Sequence, residues 1–372
     1  MLVGNLGYQD MPTLHTTALQ TLYASAIEGA QGQTHIPLQT PGTVVRKTIK
    51  GQEYTYWRAY LANGQRSDEY LGVASDPNTF HAMEERLAKT QEARQMAASL
   101  KTLRLSGFAV ADNSSALTVA SLFNAGIFRQ GGVLVGSHAF GSLLNGLGVK
   151  LAANYHTDDI DIGTARPIAL AIPDDRSFLD VLRDTGIQFL EVPGLNHRQP
   201  PTSYKQRGAL LKVDLLVPGT EAYETKALPG LKAHATGLPF FDYLMEEVED
   251  GYLLGKDHII PVRVPNPARF ALHKLVVSTL RPAALGVKSK KDQLQALVML
   301  DAVLEHNPGW VSAAMEALPS TARPRIAQAA DQTLAYAEKF SDITKDTLEQ
   351  LSALGDADGA ANVQNKKGWK PA

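Results

Sequence analysis

The chain has 372 residues, of which 44% are hydrophobic and 20% are charged, as in an ordinary globular protein. The 36 Lys and Arg nearly balance the 38 Asp and Glu, and the net charge of −2 excludes a strongly basic histone-like protein and an acidic disordered protein. Cysteine is absent, which excludes disulfide scaffolds, iron–sulfur clusters, Cys-ligated zinc and cysteine nucleophiles.

Membrane and secretion signals are missing from the sequence. No run of about 18 apolar residues occurs, so we expect no transmembrane helix and no membrane partner. The first residues lack the charged start and the long apolar stretch of a signal peptide. We therefore expect a cytoplasmic protein.

The first hundred residues predict a small antiparallel sheet between two helices. Apolar residues recur at helical spacing over residues 10–30. Gly51-Gln52 and Asn63-Gly64 are turn signals that separate three strand-like runs. The predicted elements are a helix over 10–30, strands over 44–50, 53–62 and 66–73, and a helix over 79–103.

The middle strand of this meander carries an unusual number of aromatic residues. Alternation divides its side chains between two faces, with Tyr54, Tyr56, Arg58 and Tyr60 on one and Thr55, Trp57 and Ala59 on the other. With Lys47, Lys50 and Arg66, such aromatic residues could bind nucleic acid, because rings stack on bases and cations meet phosphates. The alternative, which we favour here, is that one aromatic face packs on the helix at 79–103.

The remainder alternates short strands with helices and then becomes helical, which indicates an α+β fold with a mixed sheet, flanking helices and a C-terminal helical bundle. The predicted elements are a helix over 116–124 capped by Ser114 or Ser115, a strand over 133–135, a helix from His138, strands over 160–162 and 168–172, a helix over 174–185, strands over 188–192 and 209–216, and helices over 267–280, 290–305, 308–318 and 323–339. The predicted division is an N-terminal part (1–105), a catalytic part (106–262), a helical part (263–354) and a disordered tail (355–372).

The most informative pattern is three aspartates in apolar strands that follow a Gly-Ser turn. Gly136 and Ser137 end the apolar strand at 133–135. Asp159 and Asp161 are two apart, so they project from the same face of their strand, and Asp214 lies inside another apolar run. Carboxylates that converge in this way repel one another unless cations neutralise them, and Mg²⁺ prefers carboxylate and phosphate oxygens.

The alternatives for each part of this pattern are ordinary. An Asp-x-Asp sequence alone is usually a surface turn. Asp158 could cap a helix, or could replace Asp159 in another strand register. The apolar neighbours Ile160 and Ile162 favour the pair Asp159 and Asp161.

The combined pattern resembles the nucleotidyltransferase superfamily with the DNA polymerase β-like fold. The resemblance implies that Gly136 and Ser137 bind nucleotide phosphates and that Asp159, Asp161 and Asp214 are the catalytic carboxylates and ligands of Mg²⁺ or Mn²⁺. One departure is the long interval between Ser137 and Asp159, with an extra segment at about 146–156. Loops lengthen at little cost in free energy, so an insertion there is tolerable.

A basic segment follows the catalytic part. Seven Lys and Arg lie between residues 261 and 291, with no acid before Asp292. The segment is similar to the helical region of abortive-infection-type nucleotidyltransferase toxins, which implies that Lys274 and Lys291 bind the nucleotide and that Asp292 positions substrate or acts as a base. Arg269 could also point toward phosphates. The alternative is a solvated basic helix face, with Asp292 favourable in the first helical turn.

The sequence therefore predicts a metal-dependent nucleotidyltransferase that moves an NMP from an NTP such as ATP to a hydroxyl acceptor and releases pyrophosphate. The acceptor could be RNA, especially a tRNA end, a protein side chain or a small molecule. A toxin or phage-defence role with an antitoxin partner is suggested only by the helical segment. The alternative is a non-catalytic nucleic-acid-binding or interaction protein on a vestigial nucleotidyltransferase fold.

Overall fold

The structure is a computed structural model that describes residues 12–150, 157–166, 176–194, 199–220, 224–281 and 285–366, with side chains described as far as residue 355. The predicted strand at 168–172 lies outside the described residues. Helices and several sheets, one of them mixed, make up the described part, which confirms the predicted α+β class.

The N-terminal part agrees with the sequence-based elements, apart from a short strand at its start and a later start of the first helix. It contains β1 (Thr13–Leu14), α1 (Thr17–Gln31), β2 (Thr43–Ile49), β3 (Gln52–Tyr60), β4 (Arg66–Val73) and α2 (Pro77–Leu105). The Asp76 side chain accepts a hydrogen bond from the Asn78 N–H and so caps α2. Strands β2, β3 and β4 form an antiparallel meander in that order.

The central part contains more strands than the sequence predicts. Its elements are α3 (Asn113–Asn124), β5 (Val133–Val135), α4 (Gly136–Gly146), β6 (Val149–Lys150), β7 (Asp159–Gly163), α5 (Phe178–Arg183), β8 (Phe189–Val192), β9 (Ser203–Gln206), β10 (Lys212–Pro218), β11 (Thr225–Leu228), β12 (Ala233–Leu238), α6 (Phe241–Met245), β13 (Val248–Leu254) and β14 (Ile259–Pro265). The sequence analysis missed β6, β9, α6 and all strands after β10. Strands β6 and β9 have only two and four residues, whereas β11 with β12 and β13 with β14 form antiparallel pairs of consecutive strands whose turns were not recognised.

The predicted starts of α3 and α4 were wrong. Asp112, and not Ser114 or Ser115, caps α3, since its carboxylate accepts hydrogen bonds from both serine N–H groups. Helix α4 begins at Gly136 and not at His138, so the Gly-Ser turn is the first turn of the helix.

The central sheet brings three strands of the aspartate pattern side by side. Its order is β11-β12-β10-β7-β5, and β9 pairs with both β10 and β8. Strand β7 is parallel to β10 and antiparallel to β5. The start of β10 has β9 as its second neighbour, and the end of β10 has β12. Part of the extra segment after Ser137 forms β6, which pairs with β1.

The C-terminal part is helical, as predicted. It contains α7 (Pro267–Leu280), α8 (Gly286–His306), α9 (Pro308–Glu316), α10 (Arg323–Ala337) and α11 (Asp342–Lys366). The sequence analysis missed α11, and the predicted disordered tail at 355–372 was wrong as far as Lys366, because the helix continues through it. Leu348 and Leu351 are fully buried and anchor the helix, and extending a formed helix costs little free energy.

One hydrophobic core joins the central sheet to the C-terminal helices. It includes Ile160 of β7 and Val213 of β10 together with Leu297 of α8 and Leu351 of α11. The predicted division of the chain into parts stays a prediction. None of the described helices is both long and apolar enough to cross a membrane.

Candidate active site

Three carboxylates lie together on one face of the central sheet. Asp159 and Asp161 are two residues apart on β7, and Asp214 of β10 is the direct neighbour of Asp161 in the parallel register. The apolar residues between them, including Ile160 and Val213, are completely buried on the other face. The alternation of buried and polar positions therefore fixes which face carries the carboxylates. Asp158 is exposed, so the register with Asp159 and Asp161 is the observed one.

The pKa of Asp161 is raised to about 6, first by burial and then by the nearby charge of Asp214. Lys274 and Lys212 oppose this effect without cancelling it. The buried Asp161 carboxylate is therefore destabilised in its charged form, and an added cation would stabilise that form.

Asp214 is held by two residues that the sequence analysis did not single out. Lys212 Nζ lies 2.7 Å from Asp214 Oδ2, and the Ser203 hydroxyl donates a hydrogen bond to Oδ1. Lys212 is two residues before Asp214 on β10, so strand alternation could have placed it on the same face. Ser203 lies opposite Asp214 on β9, a strand with no clear sequence signal.

Gly136 makes the close approach of the helix start to Asp161 possible. Its φ of +64° lies in the left-handed region that favours glycine. A methyl group added to Gly136 would overlap the Asp161 carboxylate. Val135 is the neighbour of Asp161 across β5 and β7, so Gly136 directs the chain into α4 beside the carboxylates.

Ser137 lies in the first turn of α4 and is oriented by a residue of α8. Gln295 Nε2 donates a hydrogen bond to Ser137 Oγ at 3.2 Å, and both residues are buried. Because the Ser137 oxygen accepts this bond, its own proton is available for another acceptor. The Oε1 atom of Gln295 is buried and has no hydrogen-bond partner. Sequence reasoning could not identify Gln295, which is 158 residues from Ser137.

The basic segment forms a buried charge cluster between α7 and α8. The Asp292 carboxylate lies 2.8 Å from Lys274 Nζ and 2.5 Å from Arg281 Nε, and its side chain is only 4% exposed. Burial alone would raise the pKa of Asp292, but Lys274 and Arg281 lower it overall. The alternative of a solvated face with Asp292 in the first helical turn was wrong, because α8 begins at Gly286.

Two further lysines lie on the carboxylate side of α8. The pKa of Lys291 is lowered by burial and by the charge of Lys274, while Asp292, Asp159 and Asp161 act in the opposite direction. Lys288 Nζ is 3.9 Å from Asp159 Oδ2. The cations at the start of α8 therefore face the start of β7.

Arg269 does not point toward this site. Its guanidinium is buried, donates to the Tyr243 carbonyl oxygen at 2.9 Å, and pairs with Glu246 and Glu247 at 2.6 and 3.1 Å. The expectation that it could meet phosphates was wrong, because these partners anchor α7 to α6.

The donor set bears on whether a metal ion fits. Within the described ranges, no group of three or more His, Asp or Glu side chains is arranged to hold a metal ion by itself. Mg²⁺, however, is commonly bound by one or two carboxylates together with substrate phosphates and water. Asp159 and Asp161 provide such a pair, and burial, followed by the charge of Asp214, raises the pKa of Asp161. The two carboxylates therefore fit a hard divalent cation that arrives with a nucleotide.

The fold thus brings three aspartates, the Gly-Ser helix start and the lysines of α7 and α8 together at one site. A sequence model of the family described as nucleotidyltransferase matches residues 113–319, more than half of the chain. The chain therefore belongs to the nucleotidyltransferase family and is a transferase. The matched range contains every site residue named above and continues from the central sheet into the helical part. No curated protein and no solved structure matches the chain.

Proposed function

We propose that the protein transfers an NMP from an NTP to a hydroxyl acceptor and releases pyrophosphate at the site formed by β5, β7, β10, α4, α7 and α8. The observation that carries the proposal is the close approach of Gly136 to Asp161, with α8 contributing Gln295 to Ser137 and Lys288 to Asp159. Family membership supports nucleotide transfer in general.

The nucleotide triphosphate would bind between α4 and the lysines. Helix α4 begins beside the carboxylates without a side-chain cap, and the Ser137 hydroxyl adds a donor in its first turn. Lys274 and Lys291 supply positive charge from the other side. In this proposal Asp292 is a positioning residue and not a base, because its carboxylate is enclosed by Lys274 and Arg281.

Asp159 and Asp161 would hold a Mg²⁺ or Mn²⁺ ion. When bound, the ion supplies Lewis-acid stabilisation of the charge that develops on the phosphate oxygens. Asp214 as a third ligand stays a prediction, because Lys212 and Ser203 already contact its carboxylate.

In the transfer step, the acceptor oxygen forms a bond to the α-phosphorus, and the bond from that phosphorus to the bridging oxygen of the β-phosphate breaks. The pyrophosphate leaves with the electron pair of that bond. Asp214 accepts the proton of the acceptor hydroxyl. Ser203 and Lys212 keep the Asp214 carboxylate in one orientation, which favours a directed proton transfer.

The test is a transfer assay with each labelled NTP, Mg²⁺ or Mn²⁺ and cellular extract, in which label is followed into RNA, protein and small molecules. We expect Asp161→Asn to lose transfer by at least about 100-fold, because the substitution removes a proposed ligand of the ion that would stabilise charge on the reacting phosphate. Asp158→Asn is the matched control, since Asp158 is exposed, and it should transfer at the wild-type rate.

Each outcome has a distinct meaning. Wild-type transfer by Asp161→Asn would show that the site assignment is wrong. Absence of both transfer and NTP binding in the wild-type protein would favour a vestigial site or a non-catalytic nucleic-acid-binding protein. Label in the RNA, protein or small-molecule fraction identifies the class of the acceptor. The acceptor class also bears on whether the protein is a toxin with an antitoxin partner.

A further inference from the structure

The meander presents a cluster of tyrosine rings on one face. Tyr54 and Tyr56 of β3 lie on either side of Tyr70 of β4, with ring centroids 6.1 and 5.5 Å from the Tyr70 ring. Tyr70 is 54% exposed, and Tyr60 on the same face is 42% exposed. We call the set Tyr54, Tyr56, Tyr60 and Tyr70 the tyrosine face.

The opposite face of the meander is the one that is buried against the rest of the protein. Thr55, Trp57 and Ala59 are buried there. Helix α2 lies on this side, because Thr79 packs beside Gly72 and Arg86 pairs with Glu69 at 2.6 Å. The tyrosine face is therefore not required to complete the core, and exposed rings in this number are unusual on a surface without a ligand.

Cations lie among the rings of the tyrosine face. Lys47 Nζ is 4.3 Å from the centroid of the Tyr56 ring. Arg58 and Arg66 lie on the same face, directly across from Asp68 and Tyr60 in the strand register. Asp68 is the one acid in this group, and it contacts Lys47 and Arg58 at 2.9 and 2.7 Å. Three cations and one carboxylate make the face electropositive on a chain whose net charge is −2.

Asp68 keeps the cations ordered without neutralising all of them. Hydrogen bonds from Arg58 and then Lys47 hold the pKa of Asp68 well below its usual range, so the carboxylate stays ionised. Its contacts fix Lys47 and Arg58 beside the rings, while the Arg66 side chain is 57% exposed. Ordered cations next to exposed rings lower the entropic cost of binding an extended anionic polymer.

We propose that the tyrosine face binds single-stranded RNA. Exposed rings stack on unpaired bases and the interleaved cations meet the phosphates between them, whereas the bases of a duplex are already stacked on one another. An acidic peptide would use the cations but would leave the ring cluster without a partner. The proposal does not depend on the transfer reaction, although it would make RNA the favoured acceptor.

The test measures binding of a fluorescently labelled 12-nucleotide oligouridylate by anisotropy at fixed salt, without NTP and with divalent ions chelated. We expect Tyr56→Ala and Tyr70→Ala each to weaken binding about tenfold, since a stacked ring contributes roughly 1–3 kcal/mol per base. Tyr70→Phe keeps the ring and should bind like the wild type. Arg66→Gln should lower the salt dependence of the affinity, because one phosphate contact is lost.

Matched controls separate this surface from general effects. Tyr336→Ala removes an equally exposed ring on α10 and should leave RNA binding unchanged. Asp161→Asn should also bind RNA normally, so failure of transfer and failure of binding are distinguishable. Equal affinity of Tyr70→Ala and the wild type would overturn the proposal, as would tighter binding of duplex RNA or of single-stranded DNA with the same number of nucleotides.

Discussion

Asp161 is the residue at which folding and chemistry are in conflict. Burial and the charge of Asp214 raise its pKa to about 6, so its ionised form is disfavoured in the folded chain. Removal of that carboxylate would relieve the repulsion but also remove a proposed metal ligand. A site that stores unfavourable charge for a later ligand is a recurrent feature of functional sites.

His273 should make the stability of the protein depend on pH. Burial, and then the charge of Lys274, lower its pKa from 6.5 to about 3, so the folded chain keeps it neutral. Below pH 6.5 the unfolded chain takes up a proton that the folded chain does not, so stability is complete above that pH and declines as the pH falls toward 3. We expect His273→Phe to reduce the loss of unfolding free energy between pH 7.5 and 5 by about 2 kcal/mol.

The measurement is urea denaturation at both pH values. His81→Phe is the control, because His81 is exposed, and it should leave the decline unchanged. The free energy of unfolding of His273→Phe should still fall somewhat between pH 7.5 and 5, since burial also lowers the pKa values of His15 and His258. Identical pH dependence of His273→Phe and the wild type would contradict the assignment.

At the scale of elements, the junction of β5 and α4 determines the distance between the helix start and the carboxylates. We expect Gly136→Ala to lower transfer about 100-fold, because its methyl group displaces the Asp161 carboxylate and misplacement by about 1 Å costs that much in rate. Gly64→Ala is the matched control. Gly64 has a φ of +80° but open space at the position of the methyl group, so this variant should lose some stability and keep its activity.

Transfer rates and thermal midpoints of both variants are measured side by side. If Gly136→Ala and Gly64→Ala kept the same activity, the close approach of Gly136 to Asp161 would have no catalytic meaning. Alanine in the left-handed backbone region costs free energy in both variants, so a difference in activity between them reports the contact with Asp161.

At the scale of the whole molecule, the last described helix belongs to the same core as the catalytic sheet. Leu351 of α11 is fully buried in the cluster that contains Ile160 and Val213. We expect Leu351→Ala to lower the free energy of unfolding by about 2–5 kcal/mol in a single transition. Ile343→Ala, at a 56% exposed position of the same helix, should change it by less than about 0.5 kcal/mol.

The transition is followed by circular dichroism and by loss of transfer activity in the same urea series. Coincident midpoints for Leu351→Ala would support one cooperative core. An early loss of helix signal with unchanged activity would instead show that α11 unfolds independently of the catalytic sheet.

The local pattern of the sequence was sufficient for the elements that carry clear turn or cap residues. The meander has three strands at the predicted places, because turn residues and strand alternation act over a few positions. Helix α7 has the predicted bounds, since Asn266 and Pro267 mark its start. Strands β11 and β12, and β13 and β14, also pair with their neighbours in sequence, but the sequence analysis recognised no turn signal between them.

The sequence by itself determined the family and the aspartate pattern, because apolar residues on both sides of Asp161 and Asp214, and Ile160 after Asp159, specify their strands. Only the tertiary structure decided what surrounds these residues. Parallel pairing of β7 and β10 brings Asp214 beside Asp161, and docking of α8 brings Gln295 to Ser137. Strand register and helix docking depend on packing between distant segments, which local patterns do not encode.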